Sequence, residues 1–371
     1  MIIGVNARLI LPHRMEGIAR YCWETTRRMI LKHPEHQFVL FFDRTYDPSF
    51  KIADNVTCIS LFPQARHPIL WKWWFEYSLP RALKKHKVDV LLSGDGFLSL
   101  KSKVPTLLVS HDITYFHFPQ YMKKGQLGYY QKHVPLFHQR ADHIISVSAS
   151  TKADITDKFG LDPKKITVAY NALPSDIPLG LNPKKGNYFL YLGSVHPRKN
   201  IANLIKAFDN FVEKLKAKSP TQSLPKLIIA GRSAFSIEEI DDTLKNMTNK
   251  SLCKRKEDVS EEEKWTLLAE ATCLTYISKW EGFGIPILEA MHAETPVITS
   301  NEGAQSEVGA DACIQVSPHN VEEISDKMYE VYTNEDLRNQ LIIKGKNRVK
   351  DFDWDESSDI IFAELQKLLK K

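Results

Sequence analysis

Two doubly wound α/β domains joined by a short linker are what this sequence predicts, on three observations. Its 371 residues exceed what one ordinary hydrophobic core organises and suit two. In both halves, short apolar or β-branched runs alternate with longer helical patterns, the rhythm of βα units and parallel sheets. Between the halves, residues 173–186 (LPSDIPLGLNPKKG) lack any period and carry Pro174, Pro178, Pro183, Gly180 and Gly186, which break helix and strand alike. The expected division is a first domain at 1–174, a linker at 175–185, a second domain at 186–351 and a last segment at 352–371.

In the first half the strand-like runs are residues 2–6, 38–42, 56–60, 90–93, 106–109, 144–147 and 167–169. Helical spacing appears at 17–33, where Ile18, Cys22, Thr25, Met29 and Ile30 share a face, at 71–86, and from Ser148 to Phe159. After the linker the pattern restarts. Strands are expected at 188–192, 226–230, 273–277 and 296–299, and helices at 201–218, 237–245, 261–271 and 286–292. A short helical turn is expected near Glu307 and Val308, and helices at 321–333, 335–351 and 354–369 close the chain. Residues 219–224 read as a surface insertion and the polar run 251–258, SLCKRKED, as a solvated loop.

Composition is that of a globular protein, with 43% hydrophobic and 26% charged residues. Five cysteines are scattered without a C-x-x-C pair or zinc-ligand spacing, as reduced interior thiols are. The first residues read as a strand rather than a charged segment followed by an apolar one, so no signal peptide is expected. No apolar run reaches ~18 residues, so no membrane span is expected either. These features lead to the expectation of a cytoplasmic protein. The net charge of +5 fits attraction to phosphates or an anionic surface, but the excess is small and no nucleic-acid recognition module appears.

The strongest chemical signal is KWEGFGIPILEA, residues 279–290. A buried-type strand ends just before it, Gly282 and Gly284 allow backbone to approach a ligand, and Pro286 suits a first helical turn. A strand, a glycine loop and a helix N-terminus make an anion site, because free N–H groups and the helix dipole point outward. Glu281 and Glu289 bracket the loop. Carboxylates suit sugar and ribose hydroxyls, since each accepts several hydrogen bonds. Taken singly, Glu289 could serve only the helix dipole and Glu281 could be a surface residue.

With GIARY (17–21) and YLGSVHPRKN (191–200), this segment resembles the retaining glycosyltransferases of family four across essentially the whole chain. The resemblance implies the GT-B fold: two Rossmann-like domains facing a cleft, with a C-terminal helix crossing back to the first domain. It implies transfer of a hexose-type sugar from a nucleoside-diphosphate donor to an acceptor hydroxyl, with retention of configuration. Glu281 would lie by the donor sugar, Glu289 by the nucleotide ribose, and the backbone of Gly282, Phe283 and Gly284 by the sugar and diphosphate.

The resemblance extends to other positions. Gly193 ends a strand, and Arg198 and Lys199 follow it. Fixed cations there would stabilise a departing diphosphate more in the transition state than in the ground state. Family members often place a basic residue directly after that glycine, where this chain has Ser194; Lys199 matches the family's later lysine, and Arg198 is the candidate substitute. Two solvated basic residues are the plainer alternative. His111 and Asp112, in VPTLLVSHDITY, match the family's cleft histidine, or else His111 is satisfied in the core and Asp112 caps a turn. Gly17 would approach the donor phosphate, although the usual glycine pair is here Glu16–Gly17. No metal or other cofactor is expected, since basic side chains and helix N-termini can hold the diphosphate. The HPRKN form resembles mannosyl-type members.

Residues 66–87 gather Trp71, Trp73, Trp74, Phe75 and Tyr77 beside Arg81, Lys84, Lys85 and Lys87. This is either a core helix with a basic solvent face or a peripheral contact with the inner face of a membrane, which would suit a lipid-linked saccharide acceptor. A nucleotide-sugar epimerase of the same fold and a catalytically silent partner subunit are the alternative functions. A nicotinamide dehydrogenase is disfavoured, because no G-x-G-x-x-G follows the first strand.

Overall fold

The computed structural model describes every residue except 12–14, 16, 179–183, 234–236 and 371. Part of the expected linker and the Arg14 and Glu16 positions of the first glycine loop therefore lie outside the described residues. The chain divides into two compact units, Met1–Asn171 with Asp353–Lys371, and Ala172–Phe352.

The first unit runs β1 (Ile2–Asn6), α1 (Ile18–Lys32), β2 (Gln37–Phe42), β3 (Val56–Ser60), α2 (Pro68–Trp73), α3 (Leu79–Lys85), β4 (Val90–Ser93), β5 (Thr106–Ser110), α4 (Thr114–His117), α5 (Lys124–Arg140), β6 (His143–Ser146), α6 (Ala149–Phe159) and β7 (Ile166–Val168). Its seven strands are all parallel, in the order β3-β2-β1-β4-β5-β6-β7. Val5 pairs with Leu40 on one side and Leu92 on the other. A central strand covered on both faces is apolar along most of its length, and Ile3 and Val5 are fully buried.

The second unit repeats the plan with β8 (Tyr188–Leu192), α7 (Ile201–Lys218), β9 (Lys226–Ala230), α8 (Glu238–Asn246), β10 (Cys253–Lys256), α9 (Glu261–Glu270), β11 (Cys273–Tyr276), α10 (Ile285–His292), β12 (Val297–Ser300), α11 (Ala304–Gly309), β13 (Ile314–Val316), α12 (Val321–Thr333) and α13 (Glu335–Arg348). Its six parallel strands follow the order β10-β9-β8-β11-β12-β13. Phe208 and Phe211 of α7 meet Phe189 of β8, and Tyr332 of α12 closes the same cluster. Helix starts are capped as their sequences dictate: Ser260, Asn320 and Asn334 each accept the backbone N–H three residues on.

Helix α14 (Trp354–Leu369) returns to the first unit, as expected. Asp353 caps it by accepting from Asp355 and Glu356. Ser358 Oγ donates to Thr25 O at 3.1 Å, Ser357 Oγ to Tyr170 O at 2.8 Å, and Phe362 stacks on His33. Lys32 of α1 pairs with both Asp355 and Asp359.

The structure departs from the expected elements at four places. The polar run 251–258 is not a loop: β10 forms the sheet edge against β9, because an edge strand needs its ladder and one half-buried face, not an apolar sequence. Arg255 supplies that face by pairing with Asp241 and Glu257. Helix α5 went unrecognised, since Pro135 sits inside it and only Val134, Phe137 and His138 are buried. The expected helix at 71–86 starts earlier, at Pro68 after the cap His67, and carries a π-helical turn at Trp74–Ser78. The three-residue strand β13 also gave no period to read.

Candidate functional site

In both sheets the strand order reverses next to the first strand, between β1 and β4 and between β8 and β11. Open parallel sheets bind ligands outside the carboxyl ends of strands at such switch points. In the second unit the two candidate motifs leave from those two strands: Gly193 to Lys199 after β8, and Trp280 to Gly284 after β11.

Gly193 and Gly231 make the first loop possible. Gly231 has φ +144°, and a Cβ there would lie 1.9 Å from the Gly193 carbonyl oxygen. The chain then forms a single 3₁₀ turn, Pro197–Lys199, capped by His196, whose Nδ1 accepts from Arg198 N at 3.1 Å. Asn200 ends the turn in the left-handed region and donates to Pro318 O.

The two loops are stitched together. Lys279 N donates to Arg198 O at 3.0 Å, and the Arg198 guanidinium donates to Trp280 O. Ala304 N donates to Glu281 O at 3.2 Å, and Gly303, with φ +64°, lets that backbone approach. Gln305 completes the frame by bonding both the N–H and the carbonyl of Ser278. Gly303 and Gln305 had no motif to announce them; only the fold brings their loop here.

At the centre stands an ion cluster. Glu281 Oε1 accepts from Lys199 Nζ at 2.6 Å and Glu281 Oε2 from Arg198 Nη1 at 2.9 Å. Lys199 Nζ also donates to Tyr276 OH at 2.9 Å and lies over that ring. Glu281 is only 8% exposed. Burial alone would raise its carboxyl, but Arg198 and Lys199 outweigh burial and hold it down at about 2. Burial, and then the same two cations, push His196 down to about 4, so its imidazole is neutral at pH 7. Burial and the neighbouring Glu281 raise Tyr276, which stays a neutral phenol.

Gly284 opens α10 with φ +114° and no side-chain cap; Pro286 carries no N–H and Ile287 N donates to Gly284 O at 3.0 Å, so the Ile285 N–H and the helix dipole are what the first turn offers an anion. Phe283 is buried, with its ring edge-on to Phe352 at 5.6 Å, so its side chain belongs to the packing and its backbone to the loop. Glu289, in the second turn of α10, is buried beside Lys264 of α9 at 3.0 Å. That lysine also pairs with Glu261, and its carboxylate neighbours raise it against the effect of burial. Lys264 was missed because nothing in EEEKW marks it off from a solvated helix face.

Gly17 and His111 lie in the first unit. Gly17 has φ +50°, and its carbonyl accepts from Tyr21 N. His111 packs edge-on against Tyr21 at 5.3 Å, and its Nε2 is 2.7 Å from Gly94 O; burial lowers its pKa. Asp112 accepts from Thr114 N, a turn-capping role. Near His111, at the β1/β4 switch point, a buried pair also escaped the sequence reading: Arg8 Nη2 donates to Asp95 Oδ2 at 2.7 Å, and Asn6 donates to Asp95 Oδ1.

Comparison with known proteins matches residues 177–348 to the family described as Glycosyl transferases group 1 and residues 15–176 to Glycosyltransferase Family 4. The chain is 26% identical to the Escherichia coli protein named O-antigen chain mannosyltransferase B, over 93% of this chain and 94% of that one. It is 28% identical to O-antigen chain mannosyltransferase RfbU of Salmonella typhimurium, over 68% and 67%. Among solved structures it is similar to WaaG, a glycosyltransferase involved in lipopolysaccharide biosynthesis, with a TM-score of 0.71, 16% identity and coverage of 97% and 99%. It is also similar to Anabaena Alr3699/HepE in complex with UDP-glucose, with a TM-score of 0.70, 16% identity and coverage of 99% and 100%.

Proposed function

Because this chain belongs to the group 1, family 4 glycosyltransferases and is mannosyltransferase-like, we propose that it moves a mannosyl residue from a nucleoside-diphosphate sugar to a saccharide hydroxyl, with retention, in polysaccharide or glycolipid assembly. The observation that carries this reading is the Lys199–Glu281–Arg198 cluster beside the uncapped start of α10. The named activity of the O-antigen mannosyltransferases and the UDP-glucose bound by HepE support the sugar class and the nucleotide form of the donor.

In this reading the donor diphosphate docks at the start of α10. The anomeric C–O bond to phosphate breaks through an oxocarbenium-like transition state, and the acceptor oxygen bonds to the same carbon on the same face. The acceptor proton passes to an oxygen of the departing diphosphate. Lys199 and Arg198 stabilise the negative charge that grows there, where fixed cations in a buried site act most strongly. Glu281, ionised at neutral pH, holds both cations in place. Glu289, steadied by Lys264, offers a carboxylate to the ribose hydroxyls. Positioning and electrostatics supply the rate without a covalent side-chain nucleophile.

A thermal-shift panel of nucleoside diphosphates and nucleotide sugars should identify one donor class that raises the melting temperature by mass action. With that donor and a mannose-terminated acceptor, the new linkage should keep the donor's anomeric configuration by NMR. Conversion of the donor to an epimer without acceptor would replace transfer by epimerisation, and the absence of any nucleotide-dependent shift would leave a silent subunit.

A further inference from the structure

Residues 68–85 form one continuous helical rod, α2 and α3 joined through the π-helical turn. In a straight α-helix, positions four apart drift round the axis, and the wider π turn offsets that drift. Ile69, Trp73, Tyr77, Arg81 and Lys85 therefore stay on one outward face, and all five are exposed. The opposite face buries Trp71, Trp74, Phe75, Leu79 and Leu83 in the core of the first unit. The core uses that opposite face, so it does not account for Ile69 and Trp73, which are 71% and 53% exposed.

Two other segments extend the same surface. Phe62, 85% exposed, sits against the rod through Ser78 Oγ, which donates to Phe62 O. Leu100 joins it through its N–H, which donates to Glu76 Oε1 at 2.9 Å. Lys101 Nζ lies 4.3 Å from the centre of the Tyr77 ring, and Trp73 packs on Tyr77 at 5.4 Å. Phe62, Ile69, Leu70, Trp73, Tyr77 and Leu100 account for six of the ten large hydrophobic residues that are exposed among the described residues. The other four, Leu31, Leu136, Ile343 and Leu369, lie elsewhere along the chain. Such clustering marks an interaction surface, whereas single exposed hydrophobics do not.

Charge selects the occupant. Arg66, Lys72, Arg81, Lys84, Lys85 and Lys101 are exposed on or next to these segments, Arg81 and Lys101 beside the Tyr77 ring, and none has an ion-pair partner among the described residues. The acidic groups of this region are engaged by other partners: Glu76 accepts from Leu100 N, Asp95 is buried on Arg8, and Asp89 accepts from Ile2 N. Tryptophan and tyrosine beside unpaired cations fit the boundary between acyl chains and anionic headgroups. We propose that this three-segment surface docks the protein on an anionic lipid bilayer. This surface contains none of the residues assigned to sugar transfer, and docking through it does not depend on the donor.

The test is sedimentation with phosphatidylglycerol–phosphatidylcholine vesicles and with phosphatidylcholine alone. The full chain should pellet with the former, less so as salt is raised, and Trp emission should shift to the blue. I69S/W73S and K84E/K85E should each lose affinity at least about tenfold, from lost apolar insertion and lost charge attraction respectively. Both variants should keep the melting temperature and the turnover of a water-soluble acceptor, which separates docking from folding and from chemistry. Failure to pellet with anionic vesicles, equal pelleting with phosphatidylcholine alone, or undiminished pelleting of both variants would overturn the proposal. So would a concentration-dependent dimer that I69S/W73S abolishes, in a protein that ignores vesicles, since the surface would then belong to a second copy.

Discussion

Lys199 and Glu281 are 82 positions apart in sequence, yet their charged atoms meet at 2.6 Å. Neither could remain buried and charged alone, because desolvation of a lone ion costs several kcal/mol. Together with Arg198 they make a charged site at the switch point of the second sheet that is stable before any substrate arrives.

Lys199→Ala should lower kcat about a hundredfold, on the order of 3 kcal/mol of transition-state stabilisation. Arg198 still pairs with Glu281 in that variant, so the melting temperature should change little. Steady-state kinetics with a thermal melt checks both; near-normal turnover in folded protein would remove Lys199 from the chemistry.

Glu281→Gln links the site to acid stability. The folded carboxyl, held at about 2, lies below its ordinary value, so its contribution is complete above about pH 4.5 and is lost as pH falls towards 2. The gap corresponds to about 3 kcal/mol. Wild type should therefore be more stable than the variant at pH 6, with the difference shrinking as the melt is repeated at successively lower pH. A difference independent of pH would show that the pairing contributes nothing through ionisation.

Tyr276→Phe removes the hydroxyl that accepts from Lys199 Nζ while keeping the ring beneath it. Losing one hydrogen bond of this kind is worth about 1 kcal/mol. The expected result is a several-fold fall in kcat with an unchanged KM for acceptor. An unaltered kcat would mean that Glu281 alone orients the lysine.

Lys264→Met should strand the Glu289 carboxylate in its buried position. Breaking such a pair costs about 3 kcal/mol of stability and should weaken nucleoside-diphosphate binding more than it slows turnover at saturating donor. Isothermal titration of wild type and variant decides this; equal affinities would detach Glu289 from the nucleotide.

Gly231→Ala should be among the most damaging single-methyl changes in the second unit. The residue has φ +144°, and the new carbon would fall 1.9 Å from the Gly193 oxygen, a backbone atom that cannot swing aside. Strain and clash together should cost on the order of 3 kcal/mol, visible in a denaturant melt. A variant as stable as wild type would mean that this crossing has slack.

The sequence by itself determined the repeated βα plan, because a strand buried on both faces must be largely apolar, as Ile3 and Val5 make β1 and Leu274 and Tyr276 make β11. It also determined the glycine-flanked acidic segment and the basic pair, since a strand end, a turn and a helix start leave local marks in residue type. Tertiary structure alone decided what those residues touch. Pairing of Glu281 with Arg198 and Lys199, support from Tyr276 and Gln305, and the seating of Glu289 on Lys264 all join segments distant in the chain, and no periodicity encodes such distances. The same holds for β10, whose polar residues acquire strand geometry from β9 beside them. It holds for the exposed face of α2 and α3, which Phe62 and Leu100 extend from elsewhere in the chain. Local pattern reports what a residue can do within its own element; long-range packing sets its neighbours, and chemistry depends on neighbours.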